Sequence, residues 1–244
     1  FYEDFLNKFP KNKRTLNAYC QRLIGIYEFK KLSSLINSDL IEDYTKARYY
    51  HAIGNSDLAI KFAESSLKND KSLWRGASAN AKYIIVFNSW LVGNSKLQKE
   101  YENELEERYK EIFEISKRFE QESKWLHQFS IQAASGKSIT ELENVALNKP
   151  DMRKAPYLEC QFNSLLGMLY FKNNMFNKAE TFFRKCLDSK NERDKYNAYK
   201  YLVDIYLKQS TDKAKAKKLL NEIDDLDNDR LSFRAKDLEK KYNL

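Results

Sequence analysis

The chain is poor in the residues that make tight turns, with 6 glycines and 3 prolines among 244 residues. A many-stranded β protein needs such residues at every hairpin, so their scarcity excludes that architecture and favours helices joined by short polar turns. Histidine is scarcer still. His51 and His127 are the two in the chain, and neither lies within ligand spacing of a cysteine or of the other. Metal and nucleophilic chemistry of the Cys–His kind therefore lacks material, and both histidines read as surface or groove residues. Three widely spaced cysteines, Cys20, Cys160 and Cys186, exclude a disulfide framework and point to a reducing compartment, hence a cytoplasmic address. No apolar run approaches the roughly 18 residues that a membrane span requires. The longest apolar patch, 83–87, lies inside a helical pattern, and the protein reads as soluble. The chain also opens at Phe1 without an initiator methionine, a basic n-region or an apolar h-region, and so reads as a piece of a longer protein with room for a domain upstream.

Hydrophobic residues make up 42% of the chain, enough for a real core. The net charge is +8, a surplus that favours acidic partners in general. Heavy use of Lys, Asn, Tyr and Phe is also what nucleotide bias in a genome produces.

The most informative stretch is 159–187. Leu166 and Gly167 are followed by Tyr170, Ala179 and Phe183. Gly167 lets the second helix of a hairpin approach the first, Ala179 is the small residue facing it, and Tyr170 and Phe183 fill the space between neighbouring hairpins. This paired-helix spacing resembles the tetratricopeptide repeat. A second unit follows with Tyr199, Leu202 and Tyr206, then Ala216 and Leu220 within 212–225; Tyr206 falls 36 residues after Tyr170, against a family period of about 34. A charged final helix is predicted over 230–242, as a terminal cap.

The amino-terminal part echoes the same grammar. Ala47 and Tyr50 precede a turn at Gly54-Asn55-Ser56 and then Ala59, and the nine residues from Tyr50 to Ala59 equal the interval from Tyr170 to Ala179. Ala81 falls 34 residues after Ala47, so 73–91 is predicted to begin the next hairpin, with its turn at Gly93-Asn94-Ser95. Helices are also predicted over 2–9, 15–27, 29–36 and 58–67. The centre departs from the pattern. Leu97, Tyr101, Leu105, Tyr109, Ile112, Phe113, Ser116 and Phe119 form one apolar stripe, which predicts a single helix of about six turns. Helices over 125–134 and 139–147 complete this insertion, and Pro156 suits the first turn of the helix that follows.

The fold expected is thus all-α, a right-handed α-solenoid of tetratricopeptide-like hairpins with a long-helix insertion. Its parts are degenerate hairpins over 1–95, the insertion over 96–150, and hairpins with a capping helix over 151–244.

Other motifs yield to plain readings. Ser135-Gly136-Lys137-Ser138 contains the end of a phosphate-binding loop, but Ile131 stands where its first glycine belongs and no strand precedes it. A helix C-cap followed by a helix start explains these residues. Carboxylates in 100–122 alternate with Lys and Arg as on a solvated face. Cys160 and Cys186 occupy positions where a repeat wants small buried side chains.

No catalytic residue, metal or cofactor is expected. The resemblance implies that the first helix of each hairpin lines the inner surface of the superhelix, where such proteins bind extended peptides or helices. It projects Tyr44, Arg48, Arg75 and Lys82 onto that surface in the amino-terminal part. In the carboxy-terminal part it projects Gln161, Ser164, Met168, Phe171, Asn197, Lys200 and Asp204. The basic members suit an acidic segment, so the function expected is that of a peptide-binding scaffold, adaptor or sensory module. The rival is a nucleic-acid-associated regulator whose DNA-binding or effector domain lies upstream, using the same charge on phosphates.

Overall fold

A computed structural model describes residues 4, 6, 8, 11–69, 73–187, 192–209 and 213–224. Thirteen α-helices and no strand are found among them. The chain divides into two compact units, Phe1–Pro150 and Asp151–Leu244.

The first unit holds α1 (Lys13–Gly25), α2 (Phe29–Ser33), α3 (Asp43–Ala52), α4 (Ser56–Asn69), α5 (Arg75–Leu91), α6 (Ser95–Glu102), α7 (Glu107–Arg118), α8 (Glu120–Ala134) and α9 (Ile139–Ala146). Consecutive helices pair: α3 with α4, α4 with α5, α5 with α6. The first helices of successive hairpins, α1, α3, α5 and α7, also touch each other in order. Small side chains make the close approach. Ala47, Ala59, Ala63, Ala77 and Ala81 are all fully buried in one cluster with Ile84 and Ile85.

Several helix starts and stops have a local cause. Asn12 accepts from the Thr15 amide at 2.9 Å to open α1, and Asn94 accepts from the Leu97 amide at 3.2 Å to open α6. The two Gly-Asn-Ser turns work alike. Gly54 and Gly93 take φ of +78° and +75°, and the next amide returns to a carbonyl five residues back, Asn55 to Tyr50 at 2.9 Å and Asn94 to Ser89 at 2.8 Å. The same asparagines then open the following helix. Gly136, at φ +83°, ends α8, and Ser138 opens α9 in a capping box with Glu141, as the plain reading of that motif expects.

The predicted single long helix is not there. The stripe is carried by two helices, α6 and α7, with breaks at 103–106, which holds Leu105, and at Phe119, after which α8 starts anew. At the first break Leu105 turns into the core beside Val86, Phe87 and Phe113. Glu104 and Glu106 on either side of it reach α5, at 2.7 Å from Lys82 and 2.8 Å from Arg75. At the second, Phe119 leaves the helical region at φ −117° and ψ 55°. A continuous helix would swing Leu105 and both carboxylates away from α5.

The second unit holds α10 (Pro156–Lys172), α11 (Phe176–Arg184), α12 (Glu192–Gln209) and α13 (Lys213–Asp224). Pro156 starts α10, and Asn174 at φ 57° ends its hairpin turn, with the Met175 amide returning to the Tyr170 carbonyl at 2.9 Å. Tyr170 and Asn174 thus repeat the roles of Tyr50 and Gly54. A Cβ added at Gly167 would fall 2.9 Å from the Phe183 ring, so α10 and α11 meet where only glycine fits. Ala179, Phe183, Cys160 and Cys186 are buried there. The helix predicted over 230–242 lies outside the described residues, and of 2–9 residues 4, 6 and 8 are described, each helical.

Candidate partner-binding faces

In the first unit a polar ladder crosses the four first helices. Arg48 on α3 donates from Nη1 to Gln21 Oε1 on α1 at 3.2 Å, and its guanidinium lies 6.0 Å from the centre of the Tyr44 ring one turn away. The Tyr44 hydroxyl donates to Asn80 Oδ1 on α5 at 3.2 Å, and Asn80 Nδ2 donates to the Tyr109 hydroxyl on α7 at 3.4 Å. Gln21, Arg48, Asn80 and Tyr109 are half-buried, and Tyr44 is buried to the ring. Two of the projected site residues, Tyr44 and Arg48, are therefore rungs of one ladder. Arg75 and Lys82 are spent on Glu106 and Glu104, with the Arg75 side chain 89% exposed. Gln21, Asn80 and Tyr109 escaped the sequence reading. Asn80 lies 36 residues after Tyr44 and Tyr109 lies 29 after Asn80, so projecting the repeat period from Tyr44 finds them to within a few positions.

In the second unit Phe171 meets Tyr201 edge-on at 5.5 Å and Phe176 at 5.7 Å, and the Lys208 ammonium lies 4.5 Å above its ring. Tyr201 in turn stacks on Phe183 at 4.7 Å with 3° between the planes. Lys200, Asp204 and Lys208 follow each other at i, i+4 spacing on α12, with Lys200 over Tyr201 at 5.6 Å. Gln161 is half-buried on α10. Ser164 turns toward the hairpin interior, its Oγ 3.3 Å from Cys186 Sγ, and Met168 is 7% exposed. The side chain of Asn197 lies outside the described residues. Phe171 meets α12 through Tyr201 and Lys208, and Lys200 and Asp204 lie on that same helix; Ser164 and Met168 belong to the core side.

Behind this face sits a charged knot. Tyr206 donates to Glu180 Oε1 at 2.6 Å, and Arg184 donates to the same carboxylate at 2.9 Å and to the Tyr206 hydroxyl at 2.5 Å. Burial, then the bond to Glu180, pushes the Tyr206 phenol up to about 12. Burial raises the Glu180 carboxyl, but the bonds from Tyr206 and Arg184 outweigh it and hold that group below its ordinary value.

The family model described as tetratricopeptide repeat matches this unit. The match covers residues 161–193. It spans most of α10, all of α11 and the entry to α12, the segment in which Gly167, Tyr170, Ala179 and Phe183 were singled out. No curated protein and no solved structure matches the chain. Tetratricopeptide repeats serve in general as protein-interaction scaffolds, and no helix among the described residues is long and apolar enough to cross a membrane.

The histidines depart from expectation. They are packed together inside the first unit, with ring centres 5.3 Å apart and planes at 26°. Burial pushes both imidazoles far down, His51 to about 3 with help from His127, and His127 to about 4. The 76 residues that separate them in the chain hid the contact, because fold and not spacing brings α3 and α8 together.

Proposed function

We propose that the chain is a cytoplasmic scaffold, adaptor or sensory module without enzymatic turnover or cofactor, binding a polypeptide segment of acidic character across the first helices of its hairpins. The observation that carries this reading is the ladder from Gln21 through Arg48, Tyr44 and Asn80 to Tyr109. Amides, a guanidinium and hydroxyls in a row across four helices offer alternating donors and acceptors. An extended backbone, which has the same alternation, is matched by such a row. Arg48 supplies positive charge for acidic side chains, and on the second unit, taken by itself, Lys200 and Lys208 offer the same chemistry.

The test is a selection of displayed random peptides on the whole chain. The outcome expected is enrichment of Asp- and Glu-containing sequences whose affinity falls about 10-fold in Asn80→Ala or Arg48→Ala, a loss of about 1.4 kcal/mol. Enriched peptides that bind Asn80→Ala and Arg48→Ala as tightly as the parent would dismiss the ladder as the site. A gel shift with mixed-sequence nucleic acid that forms at low salt and falls steeply as salt rises would replace this reading by the phosphate-binding one.

A further inference from the structure

The two histidines meet where α3, α5 and α8 join, one turn along α3 from Arg48 of the ladder. Both rings stand edge-on to Phe87, His51 at 5.6 Å and His127 at 5.4 Å, while stacking on each other. Fully buried Asn88 fixes the state of His51. Its Nδ2 donates to the Ile84 carbonyl at 2.7 Å, which sets which end of the amide faces inward, and the same nitrogen lies 2.9 Å from His51 Nδ1. An amide nitrogen has hydrogens alone to offer, so His51 Nδ1 accepts, and the ring is neutral with its proton on Nε2. His127 Nε2 is shut from solvent without a hydrogen-bond partner among the described residues, and so are Asn88 Oδ1 and, one turn earlier on α8, Ser123 Oγ.

The charged surroundings offer a second proton no welcome. On α3, Arg48 opposes protonation of His51. On α8, Lys124 is paired with Glu120 and stands over Trp90. α1 presents Gln21, which is bonded to Arg48, and α5 presents Phe87, Asn88 and, beyond Phe87, Tyr83. α4 carries Asp57, Lys61, Glu64 and Lys68, none of which acts on either ring. On α7, Lys117 is paired with Glu102, and on α9 Glu141 serves its own capping box. No carboxylate among the described residues acts on either imidazole.

We propose that His51 and His127 form a proton-operated latch, which holds α8 on α3 and α5 while both rings are neutral and releases α8 when they are protonated. A proton on His51 Nδ1 points a donor at the Asn88 amino group, which is held by Ile84 and has no lone pair to give. A proton on His127 as well sets two like charges in stacked, half-buried rings, with His127 Nε2 shut from water. Neither charge has a counter-ion, so the cheapest response is separation of the helices that carry them, α3 and α8, and exposure of both rings to water. Ile131 of α8, which fills the space over Gly54 in the α3–α4 turn, parts from it in the same movement.

The test uses the whole chain, labelled with nitrogen-15, at pH 7 descending to pH 4. Imidazole nitrogen shifts give the state of each ring, and amide exchange corrected for its intrinsic pH dependence gives the opening of α8. The expected result is a neutral Nε2–H His51 at pH 7. Opening of α8 then grows about 10-fold per pH unit for one linked proton and toward 100-fold for two. α10 is the internal control, because the second unit contains no histidine. Replacement of His51 by Phe with His127 by Leu removes the proton sites; protection at pH 7 persists and the acid rise disappears. Should that variant not fold, the parent titration decides alone. Rings that protonate near the ordinary 6.5 while α8 stays protected overturn the latch, as does an unchanged acid rise in the folded variant.

Discussion

Gly167 sits where α10 passes closest to α11, and its missing side chain is filled by Phe183, a ring 1% exposed and clamped on its other face by Tyr201. Alanine at this position gains helix propensity, up to about 1 kcal/mol. It also drives a methyl to 2.9 Å from a ring that has nowhere to go, an overpacking that costs about 1–3 kcal/mol. The second effect is larger, so Gly167→Ala is expected to lower the urea midpoint of the second unit, followed by helical circular dichroism. A midpoint equal to the parent's or above it would show that Phe183 yields freely. The approach of Gly167 to Phe183 was legible in the sequence because both lie within one hairpin, at an offset that local geometry dictates, whereas Tyr201 comes from the next hairpin. Asn80 shows the opposite case. Its partners Tyr44 and Tyr109 come from the hairpins on either side, so the repeat period places it only to within a few positions and nothing local to the asparagine marks the role.

At the scale of elements, the helix ends were the readable part. Gly54, Gly93 and Gly136 all adopt the left-handed backbone that a glycine C-cap needs, and Ser138 opens α9 as the residues suggested. The capping box predicts its own measurement. Ser138→Ala removes the oxygen that accepts from the Glu141 amide and the hydroxyl that donates to Glu141 Oε2, leaving only the backbone amide of residue 138 on that carboxylate, and costs about 1 kcal/mol. Amide exchange in α9 should then quicken about 5-fold, with α10 unaffected; no change in α9 would mean that packing of Leu142 alone holds the helix. The breaks at 103–106 and at Phe119 were not readable. An apolar stripe at helical spacing continues across a break whenever the pieces face the same core. At 103–106 the chain instead turns Leu105 into the core against α5, with Glu104 and Glu106 pairing to Lys82 and Arg75 about twenty to thirty residues away, tertiary contacts that periodicity does not register.

At the scale of the whole molecule, the two units should answer acid differently. Both histidines bind protons less readily folded than unfolded, with folded values of about 3 and 4 against an ordinary 6.5. The unfolded chain therefore holds more protons, and the stability of the first unit is complete above about pH 6.5 and lost as pH falls from there toward the folded values. Each fully linked proton gives a slope of about 1.4 kcal/mol per pH unit. In the second unit Glu180 is a carboxylate held below its ordinary value of 4.5, so its loss begins only when unfolded carboxylates start to protonate. Between about pH 6.5 and 5 the histidines thus act alone. The three tryptophans, Trp74, Trp90 and Trp125, all lie in the first unit, so tryptophan emission follows that unit without interference. Urea midpoints read from tryptophan emission should fall steadily from pH 6.5 to pH 5. Over the same range the midpoint of an isotope-resolved α10 probe should hold nearly constant. A flat tryptophan midpoint across that window would mean that the stacked rings take up protons without opening the core, and that burial of His51 and His127 does not govern the stability of the unit.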